Sequence, residues 1–475
     1  MSIFNNLKWN TFSQVFKILT QLISIVYLAR IIPPNEYGIM AMAGVVMNFA
    51  SLFRDLGTSA AIIQKEQLQD ETKSAVFWLN FLLGFLVFII IITLTPFISH
   101  LYNQPKLLIV LPLLSFSFII SGSSSLHLAM LERESKFFII SKIEVFSAAL
   151  SLLLAIILAN NSFGIYSLVF QSLLNSLSSA VLLWIVSPWR PKGKPRHVIN
   201  HLKEIFRFTS QLSLFNIINF FARNLDSFLI GKYMSASILG SYNLAYRIML
   251  FPLSSLTFIA NRSLFPILSQ KKNNYKEIND IYLNTIYIIW FITLPLVTVI
   301  TSLNKLFIQV VFGEQWILSA DILFWLAPTA IIQSVLSTTG TIFMSQGRTG
   351  ILLLLGIQGT ILTAVSFMVG IHCGIVDLAK YYFIANAIHF IPCIIFTMKT
   401  IKSNILSIFK KTYPLFISAA ISFILISNIR AHFASDIKSL FVLSAIGGAI
   451  YLLLLLPTSE SRKLIKILQT KIKKR

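Results

Sequence analysis

Runs of about 18 to 30 mostly apolar residues alternate along the chain with short polar joints, and within the runs the apolar character is continuous rather than alternating. A barrel strand needs about ten residues with a period of two, so continuous runs of this length predict membrane-spanning helices. Fourteen such segments stand out, near residues 10–32, 37–57, 74–98, 107–131, 142–160, 164–187, 206–231, 237–267, 280–303, 317–345, 350–372, 376–398, 412–429 and 437–457. The predicted fold class is an all-α polytopic membrane protein. The first run follows a single lysine, Lys8, and lacks a small-residue cleavage site, so it reads as a retained span rather than a signal peptide.

Composition agrees: 475 residues are 56% hydrophobic and 12% charged, with a mean hydropathy of +0.78. The charge of +22 changes the picture only through its distribution. With the N-terminus placed in the cytoplasm, 27 of the 39 Lys and Arg residues fall at the termini and even-numbered connections, 6 on odd-numbered connections and 6 inside spans. The positive-inside rule then puts both termini in the cytoplasm. The basic rim suits anionic phospholipid at the cytoplasmic face, and nucleic acid is not needed to explain it. Cys373 and Cys393 form neither a disulfide framework nor a metal-ligand spacing. No P-loop lysine motif is present, the histidines are dispersed, and no catalytic residue, metal or cofactor is expected.

The longest connection, with its SPWRPKGKPRH cluster, divides the chain. The expected organisation is a six-helix N-terminal lobe (1–187), a basic cytoplasmic linker (188–205), a six-helix C-terminal lobe (206–398), two additional peripheral helices (399–457) and a basic tail (458–475). LARIIPPNEYG at Leu28–Gly38 aligns with IGKYMSASILG at Ile230–Gly240 at an offset of 202, setting Gly38 over Gly240. An even number of spans per half gives two repeats of parallel orientation.

Charges inside spans carry the candidate chemistry. Each costs roughly 2.5 to 3.5 kcal/mol near the centre of a lone helix, so Arg223, Asp226 and Arg247 together cost about 9 kcal/mol unless they meet water, ligand or one another. At 1.5 Å per residue, Arg223 lies roughly 12 to 14 Å below the turn near Lys232–Ala236, and Arg247 about as far down the next helix. Asp226, three residues after Arg223, could pair with either arginine. A buried structural ion pair and an anion site both satisfy this arithmetic, and the positive remainder favours the anion. Lys17, Arg54 and Arg262 lie nearer the inner mouth, where Lys17 and Arg262 could also snorkel to headgroups. Asp55 follows Arg54 directly and cannot share its helical face, so it reads as a cap or charge-balancing group. Asn219 and Tyr246, with Gln21, Asn216, Tyr242 and Asn243, offer amides and aromatic faces.

Six stretches in order are similar to one family: ARIIPPNEYG (Ala29–Gly38), RDLGTSAAIIQ (Arg54–Gln64), LYNQPKL (Leu101–Leu107), HLAMLERESKF (His127–Phe137), RNLDSFLIGKYMSASILGSYNLAYR (Arg223–Arg247) and FGEQWILSADIL (Phe312–Leu323). The chain resembles the polysaccharide-exporter, Wzx-like branch of the MOP superfamily, which also holds the multidrug MATE transporters and the lipid II flippases. The resemblance implies two six-helix lobes in a V around a basic cavity. It also implies flipping of a polyprenyl-pyrophosphate-linked oligosaccharide, with polysaccharide polymerase and glycosyltransferase neighbours.

On that view Arg223 and Arg247 hold the pyrophosphate, Arg54, Lys17 and Arg262 receive it, Asn219 and Tyr246 meet the glycan, and Asp226 and Asp55 balance charge. A multidrug cation antiporter of the same fold is the nearest rival, and it calls for acidic rather than basic intramembrane groups. A membrane-embedded polymerase or ligase calls for a large external loop, whereas the longest outer connection, Asn304–Trp316, is about a dozen residues.

Overall fold

The computed structural model describes residues 3–54, 70–191, 220, 223–271, 274–458 and 462; for residues 3–8, 10 and 251–263 it describes the backbone alone. Among the described residues every regular element is helical. In chain order these are α1 (Ile3–Ile31), α2 (Pro34–Arg54), α3 (Asp70–Leu101), α4 (Leu107–Arg133), α5 (Phe137–Asn160) and α6 (Ile165–Val186). They continue with α7 (223–233), α8 (Ala236–Gln270), α9 (Tyr275–Ser302), the short α10 (Asn304–Val311), α11 (Ile317–Ser345), α12 (Thr349–Cys373), α13 (Ile375–Thr400), α14 (Leu406–Arg430) and α15 (Ile437–Leu455).

Twelve helices among the described residues are long and apolar enough to cross a bilayer. The two further expected spans fall on α7, where residues 206–219 and 221–222 lie outside the described residues, and on α8, a 35-residue helix that carries Arg247 and Arg262. Local chemistry sets the ends. Pro34 takes the first helical position of α2, where a missing N–H costs nothing. The Asn274 side chain accepts from the Glu277 N–H at the start of α9, and Asp436 accepts from the Ser439 N–H at the start of α15, at 2.8 Å. Gly374, at φ 109°, supplies the tight junction between α12 and α13.

The chain forms two compact units, Met1–Gly240 and Ser241–Arg475. The first therefore extends past the basic connection at 188–205 and takes in α7 and the opening turn of α8.

Lipid tails are as apolar as leucine, so helices here associate through close packing and polar contacts rather than hydrophobic burial. In the first unit, a Cβ at Gly84 on α3 would overlap the Phe118 carbonyl on α4, and one at Gly122 on α4 would come 2.6 Å from the Asn80 carbonyl on α3. Each glycine thus meets the residue four before the other. Asn80 Nδ2 donates to Ser125 Oγ at 3.0 Å across the same crossing. The pattern repeats between α2 and the opening of α8: a Cβ at Gly38 would overlap the Ala236 carbonyl, and one at Gly240 would overlap the Pro34 carbonyl. These are the two glycines that the offset of 202 sets over each other. Elsewhere in this unit α1 packs on α5 and α4 on α6.

In the second unit α9 is the hub, packing against α11, α14 and α15, while α13 lies against both α11 and α12. Tyr282, Ile286 and Trp290 of α9 share one buried cluster with Val335 and Ile342 of α11, Leu415 and Ala419 of α14, and Tyr451 and Leu455 of α15. The two helices past residue 399 are thereby joined to the unit through α9. Trp290 Nε1 donates to the Ile331 carbonyl at 3.0 Å, pinning α9 to α11.

Candidate functional site

The candidate cations occupy both units. In the first, Lys17 lies in the middle of α1 with its Nζ 2.5 Å from Glu144 Oε1 on α5, and both side chains keep about a third of their surface exposed, at 37% and 31%. Glu144 is a partner that reading along the chain did not supply. Its signal was present, since it is the lone acidic residue of the run from Phe137 to Asn160. Arg54, the last residue of α2, donates from Nη1 to Ser121 Oγ on α4 at 2.7 Å, and its guanidinium lies 5.8 Å from the centre of the Phe118 ring. Gln171 Nε2 of α6 donates to Ser24 Oγ of α1 at 3.0 Å. Asp55 and Asn219 lie outside the described residues, as does the side chain of Arg262 within α8.

Arg223 and Asp226 part company on α7. Arg223 is exposed, whereas Asp226 is 4% exposed and its Oδ1 accepts from the Ser227 N–H at 2.6 Å. A three-residue step rotates a helix through most of a turn and leaves about 60° between the side chains, enough to give the two groups different surroundings.

In the second unit, Arg247 is exposed on α8 and its Nε donates to Oδ1 of Asn243, one turn earlier, at 3.0 Å. That bond fixes the plane of the guanidinium against its own helix. Tyr246 is the next residue along an aromatic series: its ring centre is 5.9 Å from that of Tyr242, nearly parallel, and 6.5 Å from that of Tyr382 on α13. Tyr382 stacks on Phe367 of α12 at 5.3 Å. Its hydroxyl accepts from Gln333 Nε2 of α11 at 2.7 Å, and Asn386 Nδ2 donates to its carbonyl at 2.8 Å.

The second unit thus joins a fixed arginine to four aromatic rings backed by amides. Guanidinium suits a phosphate, while aromatic faces and amides suit the two sides of a sugar ring. Tyr242, Asn243, Tyr246 and Arg247 were legible from the chain; Phe367, Tyr382, Gln333 and Asn386 were not. Gln333 and Asn386 are the lone amides of their helices, the signal that could have marked them.

Known proteins bear on this arrangement. TuaB, a teichuronic acid biosynthesis protein of Bacillus subtilis (strain 168), is 27% identical, with 98% of each chain covered. ExoT, a succinoglycan biosynthesis transport protein of Rhizobium meliloti (strain 1021), is 22% identical over 97% of this chain and 94% of its own. Among solved structures, the lipid II flippase MurJ in an inward closed conformation superimposes with a TM-score of 0.72 over 96% of this chain and 99% of its own, at 15% identity, so the fold is shared. Residues 27–321, well over half the chain, match the polysaccharide biosynthesis protein family, and the chain belongs to that family.

Proposed function

We propose that the protein flips a polyprenyl-pyrophosphate-linked oligosaccharide, the repeat unit of a surface polysaccharide, from the cytoplasmic to the outer leaflet of the bacterial cytoplasmic membrane by alternating access. The observation that carries this reading is the placement of Arg247 on a helix within the apolar chain, next to Tyr246, the half-buried member of an otherwise buried Tyr242–Tyr246–Tyr382 series. Such a cation is costly in hydrocarbon unless an anion or water meets it, and a pyrophosphate bearing a sugar is a ligand that uses both the guanidinium and the Tyr246 ring. Family membership, a relative named as a transport protein and a flippase fold support the same reading.

On this proposal both termini are cytoplasmic, anionic phospholipid covers the basic rim, and a polysaccharide polymerase and glycosyltransferases act before and after the flip. Arg223 and Arg247 bind the pyrophosphate, Arg54 and Arg262 receive it from the inner mouth, and Tyr246 with Asn219 contacts the glycan. Lys17 is held by Glu144 until the substrate's phosphates compete for it. Asp226 and Asp55 are the charge-balancing groups.

The test is complementation of a strain lacking its own flippase. Arg223→Ala and Arg247→Ala should abolish surface polysaccharide and accumulate lipid-linked repeat units in the inner leaflet, with unchanged amounts of protein in the membrane. Full export by both variants would overturn the reading.

A further inference from the structure

A groove lined by none of the residues proposed for transport lies in the first unit, its α4 wall adjoining the Ser121 to which Arg54 donates. The groove, of about 420 Å³, runs between α3, α4 and α6, walled by Phe81, Ile120, Leu177 and Val181 and ended by Trp184 and Arg190. Leu177 and Val181 are 47% and 49% exposed, so the groove opens on an apolar outer surface. From Leu177 to Trp184 it follows α6 for roughly 10 Å.

The cation at its end is held with unusual firmness. Arg190 Nη1 donates to the Ser187 carbonyl at 2.5 Å and to its neighbour Trp189 at 2.7 Å; Nη2 donates to the Trp184 carbonyl at 3.0 Å. The guanidinium lies 5.4 Å from the centre of the Trp184 ring, and that ring is anchored by Nε1 donating to the Ser123 carbonyl at 3.0 Å. Three of five N–H donors are therefore spent on the end of α6, leaving Nε–H and one Nη2 hydrogen. Among the described residues no carboxylate lies within ion-pair distance of Arg190.

We propose that this groove is a binding site for one anionic glycerophospholipid, with an acyl chain along α6 and the phosphodiester on Arg190. Two spare donors and one unmatched positive charge fit the two free oxygens and single negative charge of a phosphodiester. A pyrophosphate brings more charge than one guanidinium can balance. A zwitterionic lipid carries its own cation and leaves that of Arg190 unmatched. The site gives the phospholipid partner proposed above a specific place, and it rests on that reading only for the leaflet, which is cytoplasmic if the connection after α6 is.

The experiment uses the full chain in detergent, equilibrated with equal phosphatidylglycerol and phosphatidylcholine and read by native mass spectrometry. One phosphatidylglycerol per chain should be retained in preference. Retention should fall about tenfold in Arg190→Gln, which removes the charge-assisted bonds, and equally in Val181→Trp, which fills the groove but leaves Arg190 in place. Equal retention of both lipids, retention unchanged in both variants, or displacement of the bound lipid by undecaprenyl pyrophosphate would each overturn the proposal. Because the readout is lipid retention, Arg223→Ala and Arg247→Ala should leave it unchanged even where they abolish export, which separates this proposal from the transport reading.

Discussion

Lys17 and Glu144 are each other's counter-charge inside apolar helices, half-wetted at 37% and 31% exposure. Removing one partner leaves the other uncompensated, whereas removing both does not. Glu144→Gln should therefore cost about 1 kcal/mol, discounted for the partial exposure, and Lys17→Met with Glu144→Met should recover most of it. Thermal unfolding of the purified proteins in detergent decides this, and a double variant as unstable as the single would sink the pairing. Tyr382→Phe deletes the acceptor of the Gln333 bond and leaves the ring stack intact, so it should cost about 1 kcal/mol. The same variant should weaken export of the glycan without changing the amount of protein in the membrane. None of these pairings could be read along the chain, because Lys17 with Glu144 and Gln333 with Tyr382 join distant helices, and helical periodicity says nothing about which helices become neighbours. Charges lodged in apolar runs were legible; their partners were not.

At the scale of elements, continuous hydropathy located the spans, and α11 runs over the very residues, Ile317–Ser345, that the pattern marks. The start of α15 at Ile437 coincides with the pattern's, whereas α2 begins at Pro34, three residues before the pattern's 37. Ends ran longer than hydropathy implied where polar residues extend the helix into the interface: α3 begins at Asp70 rather than near residue 74, and α14 at Leu406 rather than near residue 412. The cap of α15 yields a pH prediction. Hydrogen bonds from Ser439 to the Asp436 carboxylate hold its pKa below the usual carboxylate value. The stabilisation is then fully present above the unfolded-state pKa and is lost as pH falls through the depressed folded value. The advantage of the native protein over Asp436→Ala in unfolding temperature should be constant near neutrality and shrink below about pH 4; an advantage that grew on acidification would refute the cap.

Across the whole molecule, the charge bias predicts the side on which each connection lies, and α8 makes the prediction specific. Its 35 residues extend roughly 52 Å, well beyond a hydrocarbon core of about 30 Å. On the proposed orientation, the end at Gln270 projects into water on the cytoplasmic side. In a Cys373→Ser, Cys393→Ser background, a cysteine introduced by Ser269→Cys should react with an impermeant maleimide in inverted vesicles and stay unlabelled in intact cells; labelling from outside would reverse the proposed orientation. The division into two units was legible only in part. The basic cluster after α6 marks a break in composition, yet the first unit continues to Gly240, because packing of α2 against the opening of α8 requires contacts that no composition reveals.

That packing has a consequence for how the sequence can change. Gly38 and Gly240 each press against the other helix's main chain, so neither can acquire a methyl group by having the other shrink; both are already the smallest residue there is. A mutational library should accordingly return functional clones with alanine at Gly44, where open space surrounds the α-carbon, and none with any side chain at Gly38 or Gly240. Where two main chains touch this closely, the constraint falls on both partners at once, and neither position can vary to relieve the other.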